Sequence, residues 1–398
     1  MISLGEIYDK DINFLLGSGA SFGVLPTLKL GLRTENGQRW TLEELATQFE
    51  NAKDQRYIPL FMHYYVSCIR PAQLLDVGSV TDEVGKNVLA NYRMFLETVL
   101  SMLQRRPALD RRCNLFTTNY DGCIPLVADD LLRRGSYDFV LNDGTRGFRR
   151  KLLEARNFNS FLCQTGVFDR HKSSVPQINL IHLHGSVYWS KAEDGIEVNY
   201  SINTGNDLLD GAAREKLAAF SAGLMNAEFN LAQLVQPEFE PEELDAFWEK
   251  YEIIPVVNPT KWKFHETVYE EHYYQMLRLL SYELEKPNAV LITFGFSFAD
   301  EHILNLVKRS LSNPHLQVFI CCYGKSTHEI LSAQFRQYSN VKCITLDNDE
   351  QLDFSAFNSK IFTGRTEKTV EAMAPANIQG QPAVIPLVAA VPANENVA

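Results

Sequence analysis

Apolar and polar positions along the chain fall into two rhythms. Six short runs rich in β-branched and aromatic residues, at 12–16, 114–117, 178–183, 289–294, 317–321 and 341–346, read as strands. The longer stretches between them carry apolar residues at three- and four-residue steps, the helical period. Such alternation predicts an α/β protein with a mainly parallel sheet. Residues 300–311 and 326–338, between the last three strands, are each long enough for a crossover helix. This β-α-β-α-β stretch is the most regular part of the sequence.

Elsewhere the spacing is uneven. About a hundred residues separate the first strand from the second, and about a hundred the third from the fourth. Both gaps must hold inserted material, predicted as helical insertions at about 41–110 and 190–260. In the first, Val88, Tyr92, Phe95, Leu96, Val99, Leu100 and Leu103 form an apolar stripe. In the second, 208–235 reads as helical, 237–252 carries seven acids against Lys250, and 253–257 reads as extended. No internal repeat is visible. From 363 onward the 36 residues hold no aromatic residue, four of the sixteen prolines and five charges. Residues 1–362 therefore read as one domain, and 363–398 as a flexible or partner-docking tail with an apolar centre at Val384-Ile385-Pro386-Leu387-Val388.

Composition narrows the class. With 45% hydrophobic and 22% charged residues, the 398-residue chain is globular material, which excludes global disorder, collagen-like repeats and coiled coil. The net charge of −11 argues against a surface that attracts nucleic acid everywhere. Residues 105–156 nevertheless hold eleven basic against seven acidic residues, a local net of +4, read either as a solvated mixed-charge surface or as a nucleic-acid contact. The seven cysteines include no CxxC pair, which fits reduced thiols in a cytoplasm and speaks against a zinc ribbon. Glu6, Asp9, Lys10 and Asp11 precede the first apolar run, the wrong layout for a secretory signal. No run of about eighteen apolar residues exists to cross a membrane.

Four strand ends carry candidate chemistry. The first strand runs into Gly17-Ser18-Gly19-Ala20-Ser21. Glycines there permit a tight turn and close approach of a pyrophosphate to backbone N–H groups, or mark a turn with no ligand. The second ends in Thr118-Asn119-Tyr120-Asp121, polar groups at the carboxyl edge where ligands of parallel sheets sit, or a turn and helix cap. The third places His182 and His184 on one face, with His184 next to Gly185. His184 suits a general base and His182 a packed histidine; with no third ligand in the pattern, no metal site is expected. The fourth opens into Gly295-Phe296-Ser297-Phe298-Ala299-Asp300, where Ser297 or Asp300 caps a helix, or Gly295 and Ser297 touch a nucleotide.

In this order the four motifs resemble the sirtuin family. Gly17-Ser18-Gly19-Ala20-Ser21 is similar to its Gly-Ala-Gly-x-Ser loop and Thr118-Asn119-Tyr120-Asp121 to its Gln-Asn-Ile-Asp segment. His184-Gly185 is similar to its His-Gly, and Gly295-Phe296-Ser297 to its Gly-Thr-Ser. The resemblance spans about residues 11–346 and implies a Rossmann-like parallel sheet. Family deacylases carry a four-cysteine zinc module between the last two motifs, whereas residues 186–287 here contain no cysteine. The chain thus looks closer to divergent bacterial sirtuin-like proteins of anti-phage defence, which hydrolyse NAD+; residues 259–276, with their Tyr and His clusters, fit that branch.

The resemblance implies an NAD+ glycohydrolase using NAD+ as substrate and no metal. Asn119 would orient ribose and water, His184 would polarise or deprotonate a ribose hydroxyl or the water, and Asp121 would recognise the nicotinamide amide. Gly17, Ser18, Gly19 and Ser21 would hold the pyrophosphate, with Ser297 on the adenosine side and Ala20, Thr118 and Gly295 also binding the nucleotide. It further implies a homo-oligomer and a HerA-type hexameric ATPase as partner. The alternatives are an NAD-dependent protein deacylase without the zinc module, and a non-catalytic NAD or ADP-ribose sensor.

Overall fold

A computed structural model describes residues 4–107, 109–165, 172–193, 195–202, 207–257 and 267–363. The expected tail, apart from Thr363, lies outside the described residues, as does the first part of the 259–276 segment. The apolar runs form strands β1 (Asp11–Leu16), β2 (Arg112–Thr117), β3 (Val140–Asn142), β4 (Gln177–His182), β5 (Ala289–Phe294), β6 (Gln317–Cys321) and β7 (Val341–Ile344). They make one parallel sheet in the order β7-β6-β5-β1-β2-β4-β3. All six expected strands are present; β3 was not anticipated. The architecture is α/β and Rossmann-like.

Among the described residues, nine helices of eight or more residues fix the surroundings: α1 (Leu42–Ala52), α2 (Tyr57–Tyr64), α3 (Glu83–Gln104), α4 (Cys123–Arg134), α5 (Gly211–Met225), α6 (Pro241–Tyr251), α7 (Thr267–Leu284), α8 (Glu301–Ser310) and α9 (Lys325–Gln334). Alternation along the strands sends Ile12, Phe14 and Leu16 into one core, with Tyr92 and Phe95 of α3, Val127 of α4 and Phe354, Phe357 and Phe362 near the end of the described chain. Leu15 faces the other core, with Met276 and Leu280 of α7, Ile303 and Val307 of α8, and Leu331 of α9. Burial on both faces is what continuous apolar strands require.

A row of asparagines crosses this sheet. Asn13, Asn114, Asn179 and Asn142 stand in register on β1, β2, β4 and β3. Each passes an amide hydrogen bond to the next: Asn114 Nδ2 to Asn13 Oδ1 at 2.9 Å, Asn179 Nδ2 to Asn114 Oδ1 at 2.8 Å, and Asn142 Nδ2 to Asn179 Oδ1 at 3.0 Å. A one-residue slip would turn every amide to the opposite core, so the row pins the register.

The two insertions hold more than helices. The first is preceded by an antiparallel pair, Lys29–Arg33 with Arg39–Thr41, and its last helix, α3, ends at Gln104. The second opens with the hairpin Trp189–Ala192 and Gly195–Val198, which joins Thr145–Arg146 and Leu152–Leu153 in a four-stranded antiparallel sheet. Within 208–235 the long helix is α5, and the acidic stretch forms α6. Residue Val256, in the expected extended segment, bridges to Gly185. Among the described residues no helix is long and apolar enough to cross a membrane.

Candidate functional site

The chain leaves β1 for β2, β4 and β3 on one side, then returns to β5 on the other side of β1 and continues to β6 and β7. The carboxyl ends of β1 and β5 therefore bracket a topological switch point, where open parallel sheets hold ligands. A cavity of about 150 Å³ lies there. Eight of the expected site residues line it: Ser18, Ser21, Thr118, Asn119, Asp121, His184, Gly295 and Ser297. Gly17, Gly19 and Ala20 are not among its lining residues.

Those glycines have a local explanation. A Cβ on Gly17 would fall 2.5 Å from Gly295 O, and one on Gly19 would fall 2.8 Å from Gly295 Cα. The two loops are packed backbone on backbone, so side chains there would force them apart. Gly17 N–H donates to Phe294 O and Gly19 N–H to Gly295 O, each at 3.0 Å. Ala20 N–H and Ser21 N–H donate to Gly17 O and Ser18 O. Four amides expected to cradle a pyrophosphate are thus committed within the protein. Ser18–Ala20 form one 3₁₀ turn, and Ala20 points into the first core.

Beneath the cavity runs a buried polar network. Ser21 Oγ donates to Asp121 Oδ2 at 2.7 Å and accepts from Asn119 Nδ2 at 3.1 Å. Burial, reinforced by the Asp121 carboxylate, holds the Tyr92 phenol well above its ordinary pKa. Ser21 has given its one proton to Asp121, so Tyr92 OH donates to Ser21 Oγ, 2.8 Å away. With one proton given and two bonds accepted, the Ser21 hydroxyl is saturated and has nothing left for a phosphate in this conformation. Asp121 Oδ1 accepts Cys123 N–H at 2.9 Å at the start of α4. Asn119 Nδ2 also reaches Gly17 O at 3.1 Å, which leaves Oδ1 without a partner among the described residues.

The two histidines divide as their positions suggest. His182 is buried, with Nδ1 2.9 Å from Asn119 O and its ring edge-on to Trp189. Burial pushes its pKa below the ordinary histidine value, so the ring is neutral. His184 lies past the end of β4, with its side chain 21% exposed to the cavity side. Gly185 follows with φ 79°, and a Cβ there would strike Pro255 O. His184 Nε2 lies 3.0 Å from Oδ2 of Asp300, whose side chain is 7% exposed. The other carboxylate oxygen, Oδ1, accepts His302 N–H at 2.9 Å and Ile303 N–H at 3.1 Å, capping α8. Pairing through Nε2–H directs the lone pair of a neutral ring to Nδ1.

The loop carrying Asp300 is itself unusual. Gly295 has φ 64°, and Phe298, buried in the second core, has φ 57°. An aromatic residue in the left-handed region is strained, a condition found at sites that surrounding packing over-determines. Sequence reasoning missed Asp300 as a histidine partner, Tyr92 as a network donor, and Glu43 and Tyr64 as cavity walls contributed by the first insertion. Tyr92 was visible only as one apolar position in a helical stripe. Among the described residues no group of three or more His, Cys, Asp or Glu side chains is arranged to hold a metal ion.

No family model matches the chain, and no curated protein matches it.

Proposed function

We propose that this cleft hydrolyses NAD+ at the bond between nicotinamide and ribose, giving nicotinamide, ADP-ribose and a proton. The observation that carries the reading is the His184–Asp300 pair at a cavity that also receives Asn119, Asp121 and Ser297. Glycosidic cleavage of NAD+ passes through an oxocarbenium-like state and needs a held ribose, one placed water and a proton acceptor. His184 Nδ1 accepts a proton from the water or a ribose hydroxyl, while Asp300 holds the tautomer. Asn119 Oδ1 orients the water or ribose. Asp121 lies on the cavity wall, where a carboxylate favours developing positive charge. Ser18, Thr118 and Ser297 offer hydroxyls to the rest of the nucleotide.

The cavity sets a condition on this reading. Sites for drug-sized ligands usually span 300–1,000 Å³, so a space of about 150 Å³ takes part of a dinucleotide and must widen for the whole. The glycine loops are locked together, so widening belongs to the rest of the lining, to which Leu28, Glu43 and Tyr64 contribute. The resemblance to defence-associated sirtuin-like proteins supplies a setting, an NAD-depleting effector assembled with a HerA-type ATPase. Incubation of the purified chain with NAD+ and no peptide, followed by separation of nicotinamide and ADP-ribose, tests the activity. His184→Ala should lower NAD+ loss at least about 100-fold with melting unchanged. NAD+ left intact by the wild type, or consumed equally by the variant, overturns the assignment; consumption only with an acyl-lysine peptide makes the protein a deacylase.

A further inference from the structure

None of the seven cysteines lines the cleft, and two of them are set apart by their surroundings. Cys322 directly follows β6, and Cys343 lies in β7. Ile320 stands opposite Cys343 in the register, so alternation turns Cys343 and Cys322 to the same face, toward the second core. Cys322 is fully buried, whereas Cys343 is half-buried and open to small solutes. The Cys322 thiol lies 3.5 Å from Ile320 O and also hydrogen-bonds the Cys343 sulfur.

Helix α9 lies against β7 and brings two further groups, His328 and Ser332, one turn apart. The Ser332 hydroxyl bonds the Cys343 sulfur, and His328 Nε2 is 3.4 Å from Ser332 Oγ. Ser332 has one proton; once that proton is given to sulfur, its oxygen accepts from Nε2–H. The hydrogen bond from Cys322, the one from Ser332 and the charge of His328 hold the Cys343 thiol below its ordinary pKa. Cys322 is moved the other way, by its bond to Cys343 and by burial. Burial likewise pushes up the thiols of Cys68, Cys113, Cys123 and Cys321. Cys343 is therefore the nucleophilic sulfur and Cys322 the proton-bearing neighbour, the division of labour that oxidation-sensitive cysteine pairs require.

We propose that Cys343 and Cys322 form a dithiol site for hydroperoxides, in which Cys343 is oxidised first and Cys322 then closes a reversible disulfide between β6 and β7. In the first step the Cys343 thiolate attacks one oxygen of the hydroperoxide and the O–O bond breaks. Sulfur keeps the hydroxyl as a sulfenic acid, and the departing alkoxide takes a proton from solvent. The sulfur loses two electrons and the peroxide gains them. The sulfenic acid is neutral, so the negative charge that raised Cys322 is gone before the second step. The Cys322 sulfur then attacks the sulfenic sulfur, the S–O bond breaks, and hydroxide leaves with the Cys322 proton as water. Closing from a hydrogen bond to a covalent S–S bond draws the strands together. Strand β7 is an edge strand paired to β6 alone, so it can follow. The inference is independent of the chemistry assigned to the cleft.

The test uses the reduced full-length chain, a small excess of hydrogen peroxide, N-ethylmaleimide to block remaining thiols, and peptide mapping by mass spectrometry. Two thiols should be lost, a peptide linking Cys322 to Cys343 should appear, and dithiothreitol should restore both. Cys343 should be oxidised at least about tenfold faster than the exposed Cys163. Cys322→Ser keeps a donor beside the sulfur and removes the second thiol, so Cys343 should stop at a sulfenic acid that dimedone traps. His328→Asn should slow the first step at least about threefold with melting unchanged. Should Cys322→Ser fail to fold, the wild-type peptide map decides alone. The proposal is overturned by Cys343 reacting no faster than Cys163, by a wild type that forms no link between Cys322 and Cys343, by a link through Cys321, or by His328→Asn reacting as fast as wild type.

Discussion

Asp300 serves two elements with two oxygens, one capping α8 and the other holding His184. The sequence shows the first role, since an aspartate before an apolar helix is a familiar cap. The second role depends on β4 and α8 meeting at the cleft, which no local pattern records. The double duty makes Asp300→Asn informative. Asparagine caps helices as well as aspartate does, so α8 and the melting temperature should be kept. Its amide would present a donor to Nε2 and invert the imidazole tautomer, a change that costs a comparable His–Asp pair several orders of magnitude in turnover. For the proposed NAD+ hydrolysis, kcat should fall at least about 100-fold with KM within about threefold. Equal turnover in both proteins would leave Asp300 as a cap alone.

At the scale of elements, the apolar runs revealed six strands, and their order around β1 emerged only from packing. Strand β3 escaped notice because its three half-buried residues carry too little apolar signal. The antiparallel strands at 189–198 and 145–153 are likewise two to four residues long. One signal was present and unread: an asparagine inside each of the apolar runs of β1, β2 and β4. Polar residues in buried strands require partners, and here each supplies the next. Asn114 is the link whose removal leaves Asn13 Oδ1 without its donor and Asn179 Nδ2 with Phe158 O as its one remaining acceptor. Asn114→Ala should cost about 2–4 kcal/mol in urea unfolding, because unsatisfied buried groups pay their full desolvation. Stability within about 0.5 kcal/mol of wild type would show that the row is dispensable to the sheet.

For the whole molecule, the two insertions that the sequence separates turn out to share a core. Leu42 and Phe49 of α1 and Phe61 and Tyr64 of α2 pack with Phe220 of α5 and with Phe247 and Tyr251 of α6. Phe61 meets Trp248 at 5.3 Å and Tyr251 at 5.5 Å between ring centroids. This third core reaches the cleft through Tyr64, which lines it and whose ring meets Tyr120 edge-on at 6.1 Å, so the cleft wall at Tyr64 rests on a core that both insertions build. Helical periodicity made the individual helices legible; their common core was not, because period reports which face is buried and not against what. The arrangement has a thermodynamic consequence. Phe61→Leu and Tyr251→Leu, far apart in sequence and in contact in space, should each cost about 1–3 kcal/mol and depart from additivity by at least about 0.5 kcal/mol when combined. Phe95→Leu, in the first core, should combine with Phe61→Leu additively within about 0.5 kcal/mol. Additivity of the first pair would mean that the insertions fold as separate units and that the cleft wall is not one body.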